Sequence, residues 1–172
     1  MKLMKIAQVC VCCLVLVWSS GAWAEEPAAK DTPASAAKSW NAKIIEEFRA
    51  NAGKVSGMFA NSNLLLLHTT GAKSGLSRIV PLAYLADGER LIVIASKGGA
   101  PSNPKWYHNL VANPDVRVEV GTEQFAAQAT VAQEPERTTL YEQMEAVSPG
   151  FATYKQKAAP RIIPVIILTR KP

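Results

Sequence analysis

From Leu64 onward, apolar side chains fall into short extended runs rather than helical stripes: Leu64–Thr69, Arg78–Ala86, Arg90–Ala95, Val116–Val120, Gln124–Ala132 and Ile162–Thr169. Runs of this length, separated by Gly, Pro, Asn and Asp, predict six strands. Asp87-Gly88, between the second and third runs, is a tight-hairpin signal, and Gly121-Thr122, between the fourth and fifth, is a weaker one. Connections that short require antiparallel neighbours. Pro164 inside the last run predicts an edge or bulge position, because proline has no N–H to give to a ladder.

Helical spacing occurs elsewhere. Ser39 can cap a helix running to about Asn51, with Ile44, Ile45 and Phe48 on one face and Gly53 past its end. That stripe suits a helix packed on a sheet; the alternative, a membrane-surface helix, is opposed by Glu46 and Glu47. Asn103-Pro104 opens a short helix that closes before Asn113-Pro114. Another follows Pro135, with Leu140, Met144 and Val147 as its apolar face. Antiparallel strands with helices inserted between them predict an α+β domain organised around a small closed sheet.

The first residues read differently. Met1-Lys2-Leu3-Met4-Lys5 is a basic start, Ile6–Trp18 is an apolar stretch short for a bilayer span, and Ala22-Trp23-Ala24 is a small-x-small cleavage pattern. Residues 1–24 are thus expected to be a Sec-type signal peptide for export to the periplasm or beyond, with an uncleaved anchor as the alternative. Residues 25–37, rich in Ala with two prolines, are expected to be a flexible linker, leaving 38–172 as the domain. Cys10, Cys12 and Cys13 all lie in the signal, so cleavage removes every cysteine and with them disulfide, thiol and cysteine-metal chemistry. His68 and His108 alone do not make a metal pattern. Loss of Lys2 and Lys5 lowers the formal charge from +5 to +3, and the remaining cations are scattered, which gives nucleic acid little footing.

Two glycine-and-lysine corners carry the candidate chemistry. His68-Thr69-Thr70-Gly71-Ala72-Lys73-Ser74-Gly75, with Arg78 and Pro81, follows the first strand; Ala95-Ser96-Lys97-Gly98-Gly99 follows the third and runs into Asn103-Pro104-Lys105-Trp106-Tyr107-His108-Asn109-Leu110. The first corner is not a nucleotide P-loop, since lysine and serine precede the second glycine and a strand follows. Hydroxyls, turn amides and cations at such a corner can still collect around an anion, although an ordinary hairpin with exposed charges has the same composition. Trp106 and Tyr107 are either packing aromatics or walls for a flat ring.

These motifs, with the Asp-Gly hairpin between them, closely resemble the deazaflavin (coenzyme F420)-dependent nitroreductase family over about Leu64 to Leu168. The resemblance implies a split β-barrel of about six mostly antiparallel strands with flanking helices, like the flavin-binding pyridoxamine-phosphate-oxidase-like proteins. It also implies an F420H2-dependent oxidoreductase acting on quinones, nitroaromatics or similar electron-poor small molecules, with peripheral membrane association as a route to quinones. By position, Lys73, Ser74 and Arg78 would hold the phosphate and acidic tail of F420; Pro81, Ser96 and Lys97 would line the deazaflavin; Trp106 and Asn109 would belong to the segment closing over it. Phe151 and Tyr154 occupy the stretch where relatives face their substrate. No catalytic acid, base or nucleophile is implied, because the hydride chemistry belongs to the cofactor. The alternative is an exported split-barrel protein that binds a flavin such as FMN, or only carries a ligand; three cations suit F420 better than the single phosphate of FMN. The sequence leaves the oligomeric state open.

Overall fold

The computed structural model describes residues 33–172, with side chains described from Trp40 onward. The expected signal peptide and most of the expected linker lie outside these residues. Helix α1 (Pro33–Ala50) starts at Pro33 rather than Ser39, so the last residues of the linker span enter it. The remaining elements are β1 (Leu64–Thr70), β2 (Ser77–Asp87), β3 (Arg90–Ile94), α2 (Lys105–Ala112), β4 (Asp115–Val120), β5 (Glu123–Val131), α3 (Glu136–Val147), α4 (Gly150–Ala158) and β6 (Val165–Arg170).

The six strands close into an antiparallel barrel in the order β1-β2-β3-β6-β5-β4. Period-two alternation sorts their side chains. Leu65, Leu67, Val93, Val116, Val118, Ala127, Ala129, Ile166 and Leu168 fill the bore. The alternate residues face outward onto helices: Leu64 and Leu66 meet Ile44 and Phe48 of α1, while Ile92, Ile94, Val165 and Ile167 meet Leu140, Tyr141 and Met144 of α3 and Phe151 of α4. A strand covered on both faces has no polar side, which is why Leu64–Leu67 reads as one unbroken apolar run.

An ion cluster fastens the end of α1 to the barrel wall. Arg49 Nε and Nη2 donate to the two carboxylate oxygens of Glu119 at 3.0 and 2.5 Å, and His68 Nε2 lies 2.5 Å from Glu119 Oε1. The chain then crosses the β4–β5 hairpin so closely that a Cβ on Gly53 would come within 2.7 Å of the Gly121 Cα, with φ at +89° besides; only glycine fits.

Other expectations change as well. Pro164 is neither edge nor bulge: it stands just before β6, which is flanked by β3 and β5, and its carbonyl accepts from the Ala95 N–H at 2.9 Å. Val147 is not on the buried face of α3; it is exposed where the last turn leaves the barrel. Asn103 does not cap α2, since Pro104 occupies that position without a side-chain bond. Helix α4 was not expected, because its nine residues bury only Phe151 and Ala158.

Guanidinium and imidazole hold the Glu119 carboxyl below its ordinary value of 4.5. A lowered carboxyl contributes stability that is present above its unfolded value and lost as pH falls through its folded one. Glu119→Ala is therefore expected to cost about 2 kcal/mol in urea unfolding at pH 7, by removing charge-assisted bonds at a largely buried site, with the cost shrinking as the pH is lowered past the folded value.

Candidate functional site

Strand β2 is the longest and changes partners along its length. Thr70–Leu64 pair with Ser77–Ala83 on one side, whereas the ladder to β3 covers only Tyr84–Asp87. Were that ladder to continue in register from Tyr84 opposite Val93, Pro81 would face Ser96 and Arg78 would face Gly99. It stops instead. Tyr84 N–H donates to Asn63 O on the β1 side, so by strand parity the N position of Pro81 looks away from β1, toward β3. A proline there offers no donor, and the wall splits between β2 and the segment after β3.

Both corners stand on one rim of this split. Strands β1 and β3 are each antiparallel to β2, so the turn after Thr70 and the turn after Ile94 emerge at the same end of the barrel. Helix α2 connects them: its eight residues span about 12 Å. Its inner face, Trp106 and Leu110, caps the bore. Asn109 reaches the first corner, donating from Nδ2 to Thr69 Oγ1 at 3.2 Å and accepting the Ala72 N–H on Oδ1 at 3.1 Å; Asn113 Nδ2 donates to Thr70 O at 3.3 Å.

In the first corner, Gly71 and Leu76 close the turn by Gly71 N–H to Leu76 O at 2.9 Å. Ser74 folds inward, its Oγ accepting a long 3.4 Å contact from Leu76 N–H, and Lys73 and Arg78 stand exposed. In the second corner, Ser96 is right-handed helical (φ −68°, ψ −40°) and Lys97 left-handed (φ 50°). That succession turns neighbouring amides toward one concavity, a backbone arrangement suited to anions. Among the described residues the N–H groups of Ser96, Lys97 and Gly98 have no acceptor, while Gly99 N–H and Ala100 N–H are taken by Ser96 O and Lys97 O. Lys97 Nζ donates to Ser102 Oγ at 2.9 Å.

The electrostatics distinguish this rim. Residues 69–86 and 95–114 contain Lys73, Arg78, Lys97 and Lys105 but no Asp or Glu. Among the described residues Lys73, Arg78 and Lys97 form no ion pair; Lys43, Lys54, Arg117 and Lys157 are also unpaired but lie outside these acid-free segments, while Arg49, Arg90, Arg137, Lys155, Arg170 and Lys171 each have a carboxylate partner. Cations left without carboxylates, beside free amides and an opened wall, fit a multiply charged anion better than a structural role.

The expected site residues thus divide. Lys73, Ser74, Arg78, Pro81, Ser96, Lys97 and Asn109 lie along the split rim. Trp106 is buried in the bore, and so acts from below as packing. Phe151 is buried as well, edge-on to Tyr141 and Tyr154 with ring centroids 6.4 and 5.5 Å away. Tyr154 is half-buried beside the second corner, where α4 presses on it: a Cβ on Gly99 would meet Lys157 Cβ at 2.7 Å and Tyr154 O at 3.0 Å. Sequence reading missed Arg161, whose guanidinium binds the second corner from behind. No local pattern announces it, since its partners are backbone carbonyls remote in sequence. A concavity of about 600 Å³ lies at the opposite end of the barrel, lined by residues that include Gly53, Val55, Phe59, Leu64, Tyr84 and Gly121; it has none of these cations, and Lys54 is its one basic lining residue.

A split antiparallel barrel with an acid-free, cation-bearing rim defines a class of cofactor-binding barrel proteins. Within that class, the chain belongs to the F420H(2)-dependent quinone reductase family, whose sequence profile matches residues 40–170. An F420H(2)-dependent quinone reductase of Mycobacterium tuberculosis is 43% identical over 109 residues, covering 62% of this chain and 73% of that protein. A solved F420-H2 dependent reductase, FDR-A, superposes with a TM-score of 0.57 at 37% identity over 62% of this chain and 93% of its own. HutZ, a heme storage protein of Vibrio cholerae, shares the fold alone, with a TM-score of 0.50 and 16% identity over 77% of this chain and 91% of its own. The chain is accordingly an oxidoreductase of this family, and the family implies coenzyme F420.

Packing of α4 on a left-handed glycine gives a direct check on the second corner. Gly99→Ala, which combines φ +81° with the contacts above, is expected to destabilise the protein by about 2–3 kcal/mol in chemical unfolding.

Proposed function

We propose that this chain binds F420H2 along the split between β2 and the 95–99 corner and reduces quinones, nitroaromatics or similar electron-poor small molecules. The observation that carries the reading is the acid-free rim with Lys73, Arg78 and Lys97 unpaired. F420 has a phosphate and a glutamate tail, and several cations with free turn amides suit that charge. When bound, the reduced deazaflavin supplies the hydride.

The chain's own residues bind, orient and shield. Lys73 and Arg78 would neutralise the tail at the first corner, and Ser74 Oγ keeps its O–H free to donate while it accepts from Leu76. Ser96 and Lys97 would face Pro81 across the split, with the Ser96–Gly98 amides offering donors. Asn109 ties the first corner to α2, and Trp106 with Leu110 closes the bore beneath the site, denying water a path from below. Tyr154 can donate from its hydroxyl to a substrate oxygen; Phe151 supports it from the core. No carboxylate base is needed, and none lies on the rim segments.

Export by the N-terminal signal and peripheral contact with a membrane for quinone access complete the proposal. The rival is a flavin-binding or carrier protein on the same fold. Titrating the full chain with F420 and with FMN, each followed by fluorescence, separates them: tight F420 binding with quinone reduction supports the proposal, binding of FMN alone contradicts it, and F420 binding without any reduction supports the carrier. Lys73→Ala combined with Arg78→Ala is expected to weaken F420 binding by about 2 kcal/mol, roughly thirtyfold, with a shallower salt dependence than the parent.

A further inference from the structure

Arg161 lies in the irregular segment between α4 and β6, outside every motif that marks the rim. Its guanidinium is partly buried and pairs with no carboxylate among the described residues. Every donor direction goes to the loop between β3 and α2. Nε and Nη2 donate to Ala100 O at 3.0 and 2.8 Å, Nη2 also to Ser96 O at 2.9 Å, and Nη1 to Asn103 Oδ1 at 2.7 Å, with a longer 3.4 Å contact to Ala95 O. Its own backbone is fixed by Arg161 N–H donating to Ala158 O at 2.9 Å.

The consequence follows from peptide planarity. In a trans peptide the C=O of one residue and the N–H of the next point in opposite directions. With Ala95 O and Ser96 O turned toward Arg161, the N–H groups of Ser96 and Lys97 must point away from it. These belong to the set that lacks acceptors. Rotation of the Ser96–Lys97 peptide plane would return Lys97 from its left-handed φ of 50° to the ordinary negative region. It would also turn the Lys97 N–H inward. The guanidinium opposes that rotation, because the rotated plane would withdraw Ser96 O from Nη2.

We propose that Arg161 is a positioning residue: its forked bonds to the Ser96, Ala100 and Ala95 carbonyls and to Asn103 hold the Ser96 and Lys97 amides toward the split, as donors to the part of the ligand that lies against Pro81. The identity of that ligand rests on the F420 reading; the orientation of the amides does not. Arginine is required because one planar fork serves several acceptors at once, whereas a lysine ammonium keeps the charge on a single flexible point.

Arg161→Lys tests this. In the ligand-free full chain, the backbone amide resonances of Ser96, Lys97 and Gly98 are expected to move and their hydrogen exchange to change, while those of β4 and β5 stay in place. F420 affinity is expected to fall about tenfold or more, the loss of one to two charge-assisted bonds' worth of preorganisation, with the quinone KM at saturating F420 unchanged. Asn103→Ala, which removes one acceptor and leaves the fork, should give a smaller loss in the same direction and serves if the lysine variant does not fold. Parental amide resonances in Arg161→Lys, or parental F420 affinity, would overturn the proposal. If the parent chain itself fails to bind F420, the functional reading falls, and the ligand-free resonances still decide the role of Arg161.

Discussion

The missing ladder between the first half of β2 and the segment after β3 is the constraint on which the site depends. A closed barrel satisfies its backbone internally and offers a ligand no edge. Here closure holds through Tyr84–Asp87 on one side of β2 and through Ser77–Ala83 on the other, so a single long strand keeps the barrel shut while leaving half of one seam open. Pro81, with no N–H toward that seam, removes one of the bonds that would close it. Arg78 and the second corner then confront each other across a gap where strand pairing would have brought them together.

Stabilising this opening falls to the elements around it. Helix α2 caps the bore with Trp106 and Leu110 and joins the first corner through Asn109. Helix α4 backs the second corner closely enough to exclude any side chain at Gly99, and Arg161 gathers the carbonyls of the same loop. Charge follows the same division. Glu119 answers Arg49 and His68, whereas the segments that form the rim contain no carboxylate to answer Lys73, Arg78 or Lys97. Unpaired like charges held on a rigid rim repel one another and lower stability slightly, a cost characteristic of sites awaiting a charged ligand.

Much of this was legible in the sequence. The six strands declared themselves by apolar runs and by Asp87-Gly88 and Gly121-Thr122, since hairpin turns depend on local φ. The two corners were legible because glycine, hydroxyl and lysine cluster there, and their family resemblance supplied the barrel. What was not legible is long-range. Helix α4 has too narrow an apolar face to announce itself, Val147 keeps helical spacing after its helix has left the barrel, and Pro164 looks like a strand residue until β6 is seen to begin just after it. Arg161 is the extreme case, with acceptors 58 to 66 residues away and almost all of them backbone.

The location of the ligand is the claim on which the rest turns, and it is best measured by adding F420 to isotopically labelled full chain and following the backbone amides by NMR. Binding along the split predicts shifts at Lys73–Arg78 and at Ser96–Gly98, with Gly53, Val55 and Gly121 at the opposite mouth unmoved. Shifts confined to Gly53, Val55 and Gly121 would contradict it.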